Sequence, residues 1–178
     1  MKSEEAQLVE ACRRKDQRAF KRLYDCYAPV MYGVCLRFTR SKSDAEDVLH
    51  DGFIKVFQTI DKLRDVESLG GWIRSIMIFT AINSNRRKLP IAEQHSDNDL
   101  EETSVVSADG VYDSLDRDFI LDAIQKLPDQ YRLVFNLCEI EGYSLNDVAD
   151  LLKIGQSTVR SNLTRAKHKL AEFLGPYL

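Results

Sequence analysis

Seven side chains between Ser157 and Lys167 have the types and spacing to handle an anionic polymer. Ser157, Thr158, Ser161 and Thr164 offer small hydroxyls, Arg160, Arg165 and Lys167 offer cations, and no acid lies between Asp150 and Glu172. A guanidinium can grip a phosphate or the edge of a guanine, a hydroxyl can come close to a base edge, and a carboxylate would repel the backbone. On a helical wheel Ser157, Ser161, Thr164 and His168 share one face flanked by Arg160 and Arg165, opposite Val159, Leu163, Ala166 and Leu170. This is the chemistry of recognition. Nothing points to catalysis: there is no GxSxG, no P-loop and no Cys set near a His. Cys12, Cys26, Cys35 and Cys138 form no CxxC pair, and His50, His95 and His168 are scattered. No metal, cofactor or disulfide framework is therefore expected, and the thiols, set among apolar residues at helical spacing, are expected to be buried.

Such a face must be carried on a helix and held by another. Tyr131, Val134, Phe135 and Cys138 form a helical stripe that Gly142 ends. Ser144 begins the next helix, with Leu145, Val148, Ala149 and Leu152 on one side. Lys153-Ile154-Gly155-Gln156 is a short turn, and a basic helix follows from near Ser157. Two short helices joined by a tight turn, the second basic, form the helix-turn-helix pattern. A solvated basic helix favoured by its own macrodipole is the plainer alternative.

The rest of the chain is helical too. Asp16 can cap a helix bearing Phe20, Leu23, Tyr24 and Tyr27. Ser43 to Glu46 reads as a capping box opening a helix with Ala45, Val48, Leu49, Phe53, Val56, Phe57 and Ile60 inward. Leu69-Gly70-Gly71 breaks the pattern before Trp72 resumes it, and Arg86-Arg87-Lys88 closes that segment. A helix from Phe119 to Leu127 precedes Pro128, which suits a first turn. No alternating strand is found, so the fold class is all-α.

Charge divides the chain. Residues 1–88 carry 17 Lys/Arg against 12 Asp/Glu, whereas residues 89–116 carry eight acids and no Lys or Arg. That block lacks an apolar period and reads as a flexible acidic linker between two small helical domains. It is either a plain polar spacer or an acidic strand lying in a basic groove. No apolar run approaches the roughly 20 residues of a membrane span, and the N-terminus lacks a signal peptide's apolar core. A cytoplasmic protein without membrane insertion is expected.

"EGYSLNDVADLLKIGQSTVRSNLTRAKHKL" resembles the C-terminal domain of bacterial RNA polymerase sigma factors of the extracytoplasmic-function (ECF) class. "AFKRLYDCY", "DAEDVLHDGFIKVF" and "WIRSIMIFTAINSNRR" resemble that family's N-terminal domain, in the right order. The resemblance implies a region 2-like domain over 1–88, the linker over 89–116 and a region 4-like helix-turn-helix domain over 117–178. It implies binding to core RNA polymerase and promoter DNA, a free form that is monomeric, and no enzymatic activity. Many relatives are restrained by an anti-sigma factor.

By position, Glu46, Asp47, His50, Asp51 and Phe53 would dock on the polymerase. Ser157, Thr158, Arg160, Ser161, Thr164, Arg165 and Lys167 would meet the minus-35 element. For the minus-10 element the candidates are the loop residues Leu63, Arg64 and Ser68, then Trp72, Arg74, Phe79, Asn83, Arg86, Arg87 and Lys88. Phe79 stands where the family usually has Asn, and Asn83 where Asp is common. Phe79 could stack on an unpaired base or pack in the core with Trp72 and Ile76. His50 replaces a usual Gln, Gly52 sits inside a helix, and Asn162 replaces a usual Arg, which removes one phosphate contact. Two other readings compete. One is a stand-alone helix-turn-helix regulator that never joins polymerase, which leaves the first 88 residues unexplained. The other is a helical module that occupies a sigma factor's partner.

Overall fold

The computed structural model describes residues 2–88 and 114–175, which form helices and turns with no strand among the described residues. The helices are α1 (Lys2–Arg13), α2 (Gln17–Phe38), α3 (Lys42–Thr59), α4 (Leu69–Lys88), α5 (Ser114–Lys126), α6 (Asp129–Phe135), α7 (Leu145–Leu152) and α8 (Gln156–Leu174). They fall into two compact units, one of residues 2–35 and 42–88, the other of residues 36–41 and 114–175. The expected linker lies outside the described residues as far as Asp113. Its last three residues, Ser114 to Asp116, already belong to α5.

In the first unit Asp16 opens α2 as its spacing predicts: its side chain accepts from the Arg18 N–H at 2.8 Å. The aromatic stripe of α2 then meets α3. Phe20 and Phe57 lie 4.5 Å apart by ring centroids, Tyr24 and Phe53 4.7 Å, and Phe53 and Phe57 5.9 Å. These are tilted pairs of the kind aromatic quadrupoles favour. Two expectations fail at helix starts. Ser43 is no N-cap, because α3 begins at Lys42, and Gly70 and Gly71 lie inside the first turn of α4. Glycine breaks a helix poorly where Leu69, Ile73 and Met77 bury around it.

The second unit is built around α8, which packs on α5, α6 and α7. Ala123, Ile124 and Leu127 of α5 meet Ala166 and Leu170 of α8, with Tyr131, Phe135 and Phe173 closing over them. Pro128 stands one place earlier than expected, as the N-cap of α6. After a π turn at Asn136–Ile140, Gly142 takes φ +77, and the Tyr143 N–H reaches back to the Leu137 carbonyl at 2.9 Å. Ser144 and Asp147 then form a capping box that opens α7. The turn into α8 is made by Lys153 in the left-handed region (φ 56, ψ 45), not by Gly155, which is the N-cap of α8.

The cysteines divide. Cys12 and Cys35 are buried, Cys138 is partly so, and Cys26 is exposed against expectation. Burial, followed by the nearby Asp16 carboxylate, pushes the Cys12 thiol up to about 11.

Gly52 proves to be a contact point between α3 and α4, since a Cβ there would sit 2.3 Å from Met77 Sδ and 2.9 Å from its Cε. A thioether can swing aside, but Met77 is fully buried, so the swing must displace core neighbours. Gly52→Ala should therefore lower stability by about 1–2 kcal/mol despite alanine's better helix propensity. The same change in a Met77→Ala background should be neutral or stabilising, as a double-mutant cycle by denaturant unfolding would measure.

Candidate functional sites

The apolar positions of α8 set its orientation. Val159, Asn162, Ala166 and Leu170 are buried, so the opposite face must meet solvent. There Ser157, Thr158, Arg160, Ser161, Thr164, Arg165 and Lys167 are all exposed. The Ser161 hydroxyl donates to the Thr158 carbonyl and the Thr164 hydroxyl to the Arg160 carbonyl, both at 3.0 Å. Each hydroxyl proton is thus engaged in the helix, and the oxygen lone pairs face outward as acceptors. Asn162 differs from them. Its side chain is buried, so Asn162 itself does not stand on the outward face.

Lys167 brings a partner that the sequence did not reveal. Its Nζ lies 2.8 Å from Glu139 Oε1 in the π turn after α6, and both side chains are exposed. Burial and then Glu139 raise the neighbouring Cys138 thiol, while Lys167 opposes them.

In the first unit α3 presents Glu46, Asp47, His50 and Asp51 to solvent. Phe53 is not among them. It is buried between Tyr24 and Phe57, and so serves the core. The apolar member of the exposed face is instead Ile54, 41% exposed, with Tyr24 of α2 at 38%. Ile54 continues the Asp47–Asp51 row by one turn, a helical-wheel relation readable from the sequence but overlooked because Ile normally counts as core. At the inner edge of this face the Tyr32 hydroxyl is raised, first by burial and then by Glu46.

The minus-10 candidates separate as well. Leu63 is 1% exposed and Trp72 is also buried, so both support the site from within. Arg64 and Asn83 are exposed, while Arg74 and Phe79 are half-buried, leaving Phe79 neither fully core nor free. Arg86, Arg87 and Lys88 continue α4, but their side chains lie outside the described ones. The loop is ordered by two 3-10 turns, Ile60–Lys62 and Val66–Ser68. Asp65 caps the second, accepting from the Glu67 N–H at 3.0 Å, and the Ser68 hydroxyl donates to the Asp65 carbonyl at 2.7 Å.

Family models for sigma-70 region 2 and sigma-70 region 4 match residues 23–89 and 118–170. The RNA polymerase sigma-H factor of Pseudomonas aeruginosa is 30% identical, over 98% of this chain and 96% of its own. The ECF RNA polymerase sigma factor SigW of Bacillus subtilis is also 30% identical, over 93% and 94%. The chain belongs to the ECF class of RNA polymerase sigma factors. As a sigma factor it directs promoter-specific transcription initiation, and the stand-alone regulator is not favoured. The sigma factor RpoE of Bartonella quintana, solved with the anti-sigma factor NepR, shares the fold at 21% identity and a TM-score of 0.53, over 89% of this chain and 98% of that one. Among the described residues no helix is long and apolar enough to cross a membrane, and no cluster of potential metal ligands is found.

The ion pair on α8 gives this sigma factor a testable feature. Glu139→Gln removes the carboxylate competing with phosphate for Lys167. The slope of log K against log salt for duplex binding should then steepen by about 0.9. A fluorescence-anisotropy salt series would measure it, and an unchanged slope would mean that Lys167 does not reach phosphate.

Proposed function

We propose that the two units divide promoter recognition between them. The second reads the minus-35 duplex with α8, and the first reads the minus-10 element with the 63–68 loop and the exposed side of α4. The acidic face of α3 docks on core RNA polymerase. The observation that carries this reading is the outward face of α8, where seven chemically suitable side chains are all exposed and no acid intervenes. Arg160 and Arg165 suit guanine edges and phosphates, while Ser161 and Thr164 offer acceptor oxygens to base amino groups. Ser157 and Thr158 flank the N-terminus of α8, which has no side-chain cap and is suited to a phosphate oxygen.

On α3 the acid row Glu46, Asp47 and Asp51 runs into the exposed Ile54, a combination of charge and apolar surface suited to a protein interface. In the loop Arg64 is the exposed cation, and Phe79 offers a half-buried ring to an unpaired base. The protein works in the cytoplasm with polymerase and promoter DNA, assists a reaction that polymerase performs, and catalyses none itself. Since a structural neighbour was solved with an anti-sigma factor, we extend a regulator of that kind to this chain.

Competition against the primary sigma factor for core polymerase tests the docking face. Glu46→Lys/Asp47→Lys should weaken binding by about ten-fold or more, because each change replaces attraction with repulsion at a charged contact. Both positions are exposed, so melting should barely change. Unweakened binding by this variant would remove α3 from the polymerase interface.

A further inference from the structure

Helix α1 precedes the matched region 2 residues, which begin at residue 23. Its last residue, Arg13, reaches across the unit: one terminal guanidinium nitrogen donates to the Leu63 carbonyl at 2.6 Å. The other is held by Glu10, one turn back, also at 2.6 Å. The Nε is buried with no hydrogen-bond partner among the described residues, an unmet donor that the fold tolerates to keep the fork in place.

The base of this reach is fixed. Val9 and Cys12 are fully buried, the Tyr27 hydroxyl of α2 donates to Glu5 at 3.2 Å, and Lys15 closes the turn into α2 in a left-handed conformation. Helix α1 packs on both 3-10 turns that bracket the loop. Leu63 is therefore pinned three ways: its side chain is buried, its N–H donates to the Ile60 carbonyl at 3.3 Å, and its own carbonyl is taken by Arg13. The next residue is Arg64, exposed.

We infer that Arg13 is a positioning residue for minus-10 recognition: from α1 it clamps the Leu63 carbonyl and so sets the direction in which Arg64 and the 64–68 loop meet DNA. This rests on the reading of that loop as the minus-10 reader. A charge-assisted bond to this part-buried carbonyl is stronger than a neutral one, and losing it frees the backbone where the direction of Arg64 is decided.

The test is transcription by holoenzyme, assembled from the full chain and core polymerase, on a template library randomised over both promoter elements. Arg13→Met keeps the length and removes the donors. It should lower base preference at the minus-10 element by about ten-fold, while core binding and minus-35 preference stay unchanged. Arg13→Lys, which can still donate to the carbonyl, should recover part of that preference, a rescue that bulk alone would not give. If Arg13→Met fails to assemble, Arg13→Lys carries the test with an expected loss of about two- to three-fold. Arg64→Ala separates the two layers. If it abolishes minus-10 preference while the Arg13 variants leave that preference intact, the positioning role is overturned and the loop reading stands. If neither position matters, both are overturned. Equal loss at both elements and in core binding would mean that Arg13 merely holds the fold, and would also overturn the role.

Discussion

The DNA-facing unit depends on a cation that never meets solvent. Arg132 is 0% exposed, and its guanidinium donates to the Gln125 carbonyl at 3.2 Å and the Leu127 carbonyl at 2.9 Å, with Asp129 as its ionic partner. These carbonyls belong to the end of α5, where helix geometry leaves acceptors unsatisfied. One side chain of α6 thereby ties down the end of α5, and α8 packs on both helices. Burying a guanidinium is costly unless its donors are met, and here backbone dipoles and a carboxylate meet them. Removing the Arg would orphan carbonyls, and removing only Asp129 would leave charge uncompensated.

This use of arginine explains why counting cations says little about a nucleic-acid surface. Arg132 and Arg13 are spent on backbone carbonyls, and Lys167 is shared with Glu139. Arg160 and Arg165 stand exposed on α8 beside hydroxyls that present acceptors. The functional distinction lies in what surrounds each cation. A clamp is flanked by buried apolar residues and reaches a helix or loop carbonyl, whereas the cations proposed to read DNA sit on an acid-free polar row.

Legibility in the sequence follows the same division. The outward row of α8 was readable because a single helix fixes its own faces: once Val159, Ala166 and Leu170 turn inward, Ser161 and Thr164 must turn outward. The capping of α7 by Ser144 was readable because it is local, within four residues. What failed depended on distant partners. Leu63 looked like a loop contact and is core, because α1 lies across it from fifty residues upstream. Phe53, by contrast, is core as the apolar stripe of its own helix predicts, with Tyr24 of α2 packed against it. Gly70 and Gly71 looked like a break, but tertiary burial along α4 overrides weak helix propensity. Asn162 invited comparison with the family at a position that the packing of this helix turns inward.

The charge distribution also bears on how such a protein finds a promoter. The second unit, residues 36–41 and 114–175, carries ten Lys/Arg and nine Asp/Glu, so it has little net attraction for DNA as a whole. Four of those cations and a single acid, Glu172, lie on α8, while most acids are on α5 to α7 and their turns. The field is thus directional, favouring approach by α8 and opposing approach by the other helices. On the proposed division of promoter reading, each unit alone would hold duplex only modestly and lose it with salt, and tethering both to polymerase would make the second contact intramolecular, raising overall affinity without any new interaction. Weak individual readers suit that arrangement, because a free chain with a tight grip on DNA would be held at isolated half-sites before polymerase arrived.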